Sequence, residues 1–224
     1  DPYIDIASQF YGEPVYKPKK GDPQFDLQTE RRNTGKVLIL QSGYGASEVS
    51  IQAAAKKNGV TLTIERSLEA KDLYRFRNKE IVRYWRDASN MLNLIFSGFT
   101  RTWGPMEIRN KRVYLSNGAP LIYDTLDWDA EENQFKYKTR RGWTRIWGSK
   151  LVAETTQALA RVVASQAMLR MQAAGIRIVW CTHDDIVASQ TGNTITLTTG
   201  FAAYNSALRY IITFDTYGAI IANQ

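Results

Sequence analysis

Cysteine and histidine each occur once in these 224 residues, as Cys181 and His183. A single thiol excludes an internal disulfide and suits a reducing compartment. The pair leaves no ligand set for a Cys/His zinc site, and Ser-His-Asp or Cys-His hydrolysis would have to run through His183 alone. No apolar run reaches the ~18 residues a membrane helix needs, and no signal-peptide pattern is present. Proline is scarce, and four of its six copies (Pro2, Pro14, Pro18 and Pro23) fall in the first 23 residues. Internal repeats and low-complexity tracts are absent as well.

The rest of the composition is that of a folded chain. Hydrophobic residues make up 44% and aromatics 12%, enough for a sizeable core in one large domain or two small ones. Twenty-nine Lys and Arg against 22 Asp and Glu give a formal net charge of +7. That excess suits a polyanionic partner, nucleic acid or nucleotide before anionic membrane. The first residue is Asp1 and not Met, so the expectation is a processed or truncated piece of something longer.

In chain order, residues 1–12 read as a short helix with Pro2 in its first turn, and 14–26 as a basic loop. Thr29 opens a helix that ends at Gly43-Tyr44-Gly45. Ser47 to Asn58 is a further helix, and Thr61 to Ile64 a brief extended piece. Ser67 to Asn93 is helical, with Leu68, Leu73, Phe76 and Trp85 among its core residues. Its arginines form either a solvated face or a track for a phosphate backbone. Val113 to Leu115 and Leu121 to Tyr123 are strands joined by Ser116-Asn117-Gly118. Trp128 to Gln134 is an acidic loop, and Phe135 to Lys138 a third strand. Ser149 to Ala174 is a long helix burying Leu151, Val162, Val163, Leu169 and Met171, stopped by Gly175. Ile195 to Leu197 is a strand near the end, and Phe201 to Gln224, poor in charge, takes no role.

Two patterns carry chemistry. In Trp180-Cys181-Thr182-His183-Asp184-Asp185-Ile186-Val187, strand-forming residues flank a polar corner, as in a β-hairpin with two carboxylates at its tip. Adjacent carboxylates raise each other's pKa unless compensated. Oxygen-only ligands favour Mg²⁺ or Mn²⁺ over zinc. Plain turn chemistry is the competing reading. On the helix before Gly43, Arg32, Lys36, Leu40 and Tyr44 recur every four residues, each about 40° round from the last, in one winding stripe. Two cations roughly 6 Å apart along the axis repel slightly, so an anion is expected against them. The alternative is a solvated basic face with Leu40 turned inward.

Arg31-Arg32-Asn33-Thr34-Gly35-Lys36 followed by Gly43-Tyr44-Gly45 resembles the nucleotide-binding fingers motif, motif B, of family A DNA polymerases. Thr182-His183-Asp184-Asp185 resembles their motif C, usually Val-His-Asp-Glu. Gly148-Ser149-Lys150-Leu151-Val152 through Gln157 to Leu169 is similar to the long palm helix of the phage branch. Tyr74-Arg75 with Ile81 to Trp85 is similar to a fingers helix, and Asp1-Pro2-Tyr3 with Phe10-Tyr11-Gly12 to the segment before motif B. The matches are collinear over about residues 1–190.

The resemblance implies an α+β chain: a mostly helical fingers subdomain, 1–112, then the C-terminal part of a palm, 113–224, in which a long helix packs on an antiparallel β-hairpin sheet. It implies template-directed DNA synthesis by nucleotidyl transfer from a dNTP to a primer 3′-OH with two Mg²⁺ ions, Mn²⁺ being the alternative. Lys36 and Arg32 hold the triphosphate, joined by Tyr3; Leu40 packs on the sugar and Tyr44 stacks at the template base. Asp184 and Asp185 ligate the metals, His183 supports the primer terminus, and Gln157 and Arg161 face the minor groove of primer–template DNA. The expected location is the cytoplasm of a phage's bacterial host, with no membrane partner. Departures are Leu40 and Asp185 themselves, Asn117-Gly118-Ala119 for the usual Ser-Gly-Arg, and the sequence after Gln190. The family's other metal-binding Asp, in motif A, precedes the Asp1-Pro2-Tyr3 match. The chain is therefore expected to polymerise only with an upstream portion or second polypeptide supplying motif A, the thumb and any exonuclease domain. A non-catalytic DNA-binding or structural subunit derived from a polymerase is the rival; a metal-dependent nuclease would leave the stripe unexplained.

Overall fold

A computed structural model of the chain describes residues 1–182, 185–190, 193–198, 212–214 and 220–222, with side chains for 1–181 and 186–188. The fold is α+β, in two compact units, Asp1–Arg177 and Ile178–Gln224.

The first unit opens with five helices. Helix α1 (Pro2–Tyr11) is capped by the Asp1 carboxylate, which accepts the Tyr3 N–H at 3.0 Å, and ends at Gly12. Helix α2 (Phe25–Gly43) starts four residues before the expected opening at Thr29. The reason is Asp22, whose side chain accepts from Gln24 N–H at 2.8 Å and whose carbonyl accepts from Phe25 N–H at 3.0 Å, so the loop winds directly into the helix. Ser47 caps α3 (Glu48–Lys57), whose last turn carries Lys56 and Lys57, favourable at the negative end of the helix dipole. Thr63 caps α4 (Ile64–Arg77), so the stretch expected to be extended is the lead-in to a cap.

The helix expected over 67–93 is two helices, α4 and α5 (Lys79–Ser97). Asn78, at φ −112° and ψ 48°, leaves the helical region. Its N–H and side-chain amide both donate to the Tyr74 carbonyl, closing α4, while its own carbonyl accepts from Val82 N–H and opens α5. Helix α4 turns Ser67, Ala70 and Tyr74 inward. Leu68 and Phe76, expected in the core, are exposed, Phe76 by 69%.

Two antiparallel sheets follow. Strands β1 (Arg101–Trp103), β2 (Met106–Arg109), β3 (Arg112–Tyr114) and β4 (Pro120–Ile122) form a meander of four in sequence order. The β3–β4 pair and its turn agree with expectation; β1 and β2 do not appear in the sequence reading. Strands β5 (Asp127–Asp129), β6 (Gln134–Thr139) and β7 (Gly142–Ile146) make a second sheet, so part of the expected acidic loop is a strand. Trp128 there is held by an edge-on contact with Phe135 on its neighbour.

Helix α6 (Gly148–Ala173) completes the unit, and Gly175 follows it. The main core lies where α5 and α6 meet both sheets, around Leu92, Ile95, Ile108, Val113, Ile146 and Leu151. Leu151, Val162 and Met171 are buried as expected, but Val163 and Leu169 are exposed. A smaller core of Val37, Ala55 and Val60 joins α2 to α3 and the loop after it. At Gly148 a methyl group would overlap the Trp85 carbonyl oxygen and the Ser89 side chain, so α5 and α6 approach backbone to backbone.

In the second unit, β8 (Arg177–Thr182), β9 (Asp185–Gln190) and β10 (Asn193–Thr198) form one sheet in the order β10-β9-β8. β8 and β9 are separated by two residues, as the hairpin reading requires, and β10 pairs antiparallel with β9, as expected of 195–197. Ile186 and Ala188 are buried, matching the two-residue period of a half-covered strand. Strands β11 (Ile212–Phe214) and β12 (Ile220–Ala222) pair with each other.

Glu154 on α6 accepts from two phenols, Tyr123 at 2.7 Å and Tyr137 at 2.9 Å, whose rings meet edge to face. Burial, then the adjacent carboxylate, pushes both hydroxyls above the ordinary tyrosine range. A phenol harder to ionise in the folded chain than in the unfolded one contributes its full stability below the unfolded value of about 10 and loses it as pH rises further. Above about pH 10, buried Tyr123 should therefore cost about 1.4 kcal/mol of stability per pH unit. Urea unfolding across that range should show the fall in wild type, and a shallower one in Tyr123→Phe.

Candidate functional site

The stripe on α2 forms as its spacing predicts. Arg32, Lys36 and Leu40 lie on the helix, and Tyr44 caps its end. Buried Thr34, Gly35, Val37, Leu38, Ile39 and Ser42 face the other way, so the stripe is the uncovered edge of a packed helix. Lys36 is exposed and Leu40 half-buried. Lys36 forms no ion pair or hydrogen bond among the described residues.

Helix α1 supplies the floor beside it. Gly35 makes this possible, because a methyl there would overlap the Tyr3 carbonyl oxygen. At this distance the Tyr3 ring lies 5.6 Å from the Arg32 guanidinium, and the adjacent Arg31 lies 5.0 Å from the Tyr11 ring. Such cation–ring contacts are worth roughly 0.5–1 kcal/mol each at exposed sites. Tyr11 and Thr34 share a hydrogen bond at 3.0 Å.

One of the two cations, Arg32, meets an anion that belongs to the chain, and among the described residues Lys36 does not. Arg32 donates through Nε and Nη2 to one Asp1 carboxylate oxygen, at 3.0 and 2.8 Å, while the other oxygen caps α1. The sequence reading placed Arg32 and Tyr3 together but missed Asp1 as their companion. Half of the signal was available: an Asp before a proline that opens a helix is a cap, which occupies one carboxylate oxygen and leaves the other for a cation.

The far end of the stripe meets α6. Ser149 Oγ donates to the Tyr44 carbonyl at 3.0 Å, and the Gln157 side-chain amide donates to the Tyr44 hydroxyl at 3.3 Å. Gly45, at φ +74°, turns the chain here, and a methyl on it would overlap the Ser149 hydroxyl. Tyr44 keeps 44% of its surface exposed, so its ring can still stack on a planar partner. Arg161, one turn beyond Gln157, is exposed. Tyr3, Arg32, Lys36, Leu40, Tyr44, Gln157 and Arg161 thus occupy one unit, and two bonds within it tie the end of α2 to α6.

His183 and Asp184 lie outside the described residues, as does the Asp185 side chain. Among the described residues no group of three His, Cys, Asp or Glu could hold a metal ion. No helix of the described residues is long and apolar enough to cross a membrane.

The chain is 27% identical over 206 residues to a protein named DNA polymerase from Bacillus phage SP02. The match covers 83% of this chain and 30% of that protein, so the chain spans less than a third of the relative's length. No protein-family model matches the chain, and no solved structure matches it. The similarity supports a relation to DNA polymerases.

The Arg32–Asp1 contact leads to a prediction. Both side chains are 27% exposed, and ion pairs of this kind are worth roughly 0.2–1 kcal/mol. Asp1→Asn keeps a good helix cap but removes the internal competitor for Arg32. Tripolyphosphate should bind roughly two- to fivefold tighter to this variant in calorimetric titration. Arg32→Gln should cancel the gain.

Proposed function

We propose that the chain is the fingers and C-terminal palm portion, 1–112 and 113–224, of a family A DNA polymerase of the phage branch. In this reading it catalyses nucleotidyl transfer from a dNTP to a primer 3′-OH. The observation that carries the reading is the Tyr44–Gln157 hydrogen bond. Two residues assigned separately to the template base and the minor groove, 113 positions apart, meet at the end of a helix whose outer edge carries Arg32 and Lys36. The similarity to a phage DNA polymerase over 206 residues is independent support.

In this reading Lys36 and Arg32 hold the triphosphate. Lys36, with no partner among the described residues, supplies a cation to the reacting phosphate, where charge builds in the transition state. Arg32 exchanges the Asp1 carboxylate for phosphate oxygens, a substitution that costs little because the displaced pair is weak. Tyr3 lines the same phosphates, Leu40 packs on the sugar, and Tyr44 stacks at the template base. Gln157 and Arg161 touch minor-groove acceptors common to all base pairs, and His183 supports the primer terminus. Asp184 and Asp185 offer hard oxygen donors without a thiolate, a set that suits Mg²⁺. Two such ions would lower the cost of charge on the attacking and leaving oxygens. Motif A and the thumb come from an upstream portion or a partner polypeptide, and the assembly works in the cytoplasm of the phage's host.

Primer extension by the chain together with a polypeptide carrying motif A and the thumb tests the assignment. Lys36→Ala should lower turnover about 10²- to 10³-fold, as loss of one transition-state donor does. Asp184→Asn should abolish extension; unchanged extension by that assembly would instead favour a non-catalytic subunit. Extension by the chain alone would overturn the need for a partner. Leu40 has a separate consequence. Its side chain lacks a hydroxyl, so dideoxynucleotides should be incorporated less readily than deoxynucleotides, and equal incorporation in a competition assay would move Leu40 away from the sugar.

A further inference from the structure

We infer that the outer face of the β6–β7 hairpin is a second nucleic-acid contact, one that takes an unpaired, single-stranded segment. Across this hairpin Phe135 faces Ile146, and both are buried in the main core. Cross-strand partners point the same way, and successive residues alternate. The pairs Lys136–Arg145 and Lys138–Trp143 therefore share the opposite, outward face, and Arg140 and Arg141 form the turn beyond them. Trp143 is 57% exposed on that face, with Lys136 Nζ 5.5 Å from its ring centroid.

Charge is distributed unevenly along the hairpin. No carboxylate occurs between Asn133 and Glu154. At the base, Lys136 pairs with Asp129 at 3.0 Å and Arg145 with Glu132 at 2.7 Å. Towards the tip, Lys138, Arg140 and Arg141 are exposed and form no ion pair among the described residues. The result is a tip with three uncompensated cations and a single flat indole in front of them.

This combination selects its ligand. Cations set along a strand neutralise phosphates, and an exposed indole stacks on a base, which offers its flat face only when it is not paired within a duplex. An anionic membrane would use the same cations. It would also need apolar area to insert, and on this face the residues beside Trp143 are Lys136, Lys138 and Arg145. The hairpin lies in the same compact unit as the stripe on α2. The inference rests on the polymerase reading only in taking the bound strand as unpaired template.

Fluorescence anisotropy of a labelled oligothymidylate, titrated with the full chain over a range of NaCl concentrations, tests this. Trp143→Ala should weaken binding about tenfold, the loss of one base–aromatic stack, with the salt slope unchanged. Trp143→Phe should restore most of the affinity, which separates stacking from misfolding. The double variant Arg140→Gln/Arg141→Gln should reduce the salt slope by about 1.4, two phosphate contacts on a single strand. A blunt duplex should be insensitive to Trp143→Ala. No binding to oligothymidylate, equal losses on duplex and single strand, or an effect seen only with phosphatidylserine vesicles would each overturn the inference. Oligothymidylate binding is read without any extension step, so failure here and failure of the polymerase reading in primer extension are separate results.

Discussion

Backbone contact between helices, available only where no side chain intervenes, sets the geometry of the first unit. At Gly35 the α2 backbone reaches the carbonyl of Tyr3, and at Gly148 the start of α6 reaches the carbonyl of Trp85. Gly45 turns the chain under the Ser149 hydroxyl. These approaches put the uncovered edge of α2 beside α1 at one end and beside α6 at the other. The side chains along that edge are then held by neighbours, with Tyr3 and Asp1 next to Arg32, and Ser149 and Gln157 next to Tyr44. Overpacking at such a crossing costs typically 1–3 kcal/mol and moves the helices apart. For a site built from several helices, the displacement matters more than the energy.

The electrostatic pattern follows from this packing. Most cations of the unit that lie near a carboxylate are spent on it: Arg31 on Glu13, Arg32 on Asp1, Lys71 on Glu48, Arg77 on Asp5. Arg77 belongs to the group read in the sequence as a solvated face or phosphate track, and it joins α4 to α1 instead. Other cations, among them Lys36 on α2 and Lys138, Arg140 and Arg141 at the β6–β7 tip, have no such pair among the described residues and remain for an external anion. A net charge of +7 says that a polyanion is attracted; the internal pairs take some of the cations out of its reach.

Helices were legible in the sequence wherever capping chemistry and period agreed. Ser47 with Asn58 brackets α3, and Ser149 with Gly175 brackets α6, to within a residue or two. The break at Asn78 was hidden because apolar spacing runs through it and only a backbone–side-chain contest at one Asn interrupts the helix. Strands of three or four residues, such as Arg101–Trp103 and Asp127–Asp129, carry too few residues to show a two-residue period, and their stability comes from pairing with a neighbouring strand and not from their own residues. The stripe was legible because four-residue spacing is a property of the helix alone. Its internal anion and its contact with α6 depend on tertiary packing, which leaves only faint local traces such as the Asp1-Pro2 cap. The β8–β9 hairpin was legible from strand formers on both sides of a polar corner, although its tip lies outside the described residues.

Helix α6 is a single rod of 26 residues, gripped at its base by α5 through Gly148 and by the Tyr44 carbonyl through Ser149. Arg161 stands thirteen positions up that rod, about 20 Å from the grip at 1.5 Å per residue. At that reach a tilt of about 3° at the base carries Arg161 sideways by about 1 Å. Glu154, which accepts the Tyr123 and Tyr137 hydroxyls, and Val162 in the main core resist such a tilt, so α6 presents Arg161 from a helix braced along its length and not only at its foot.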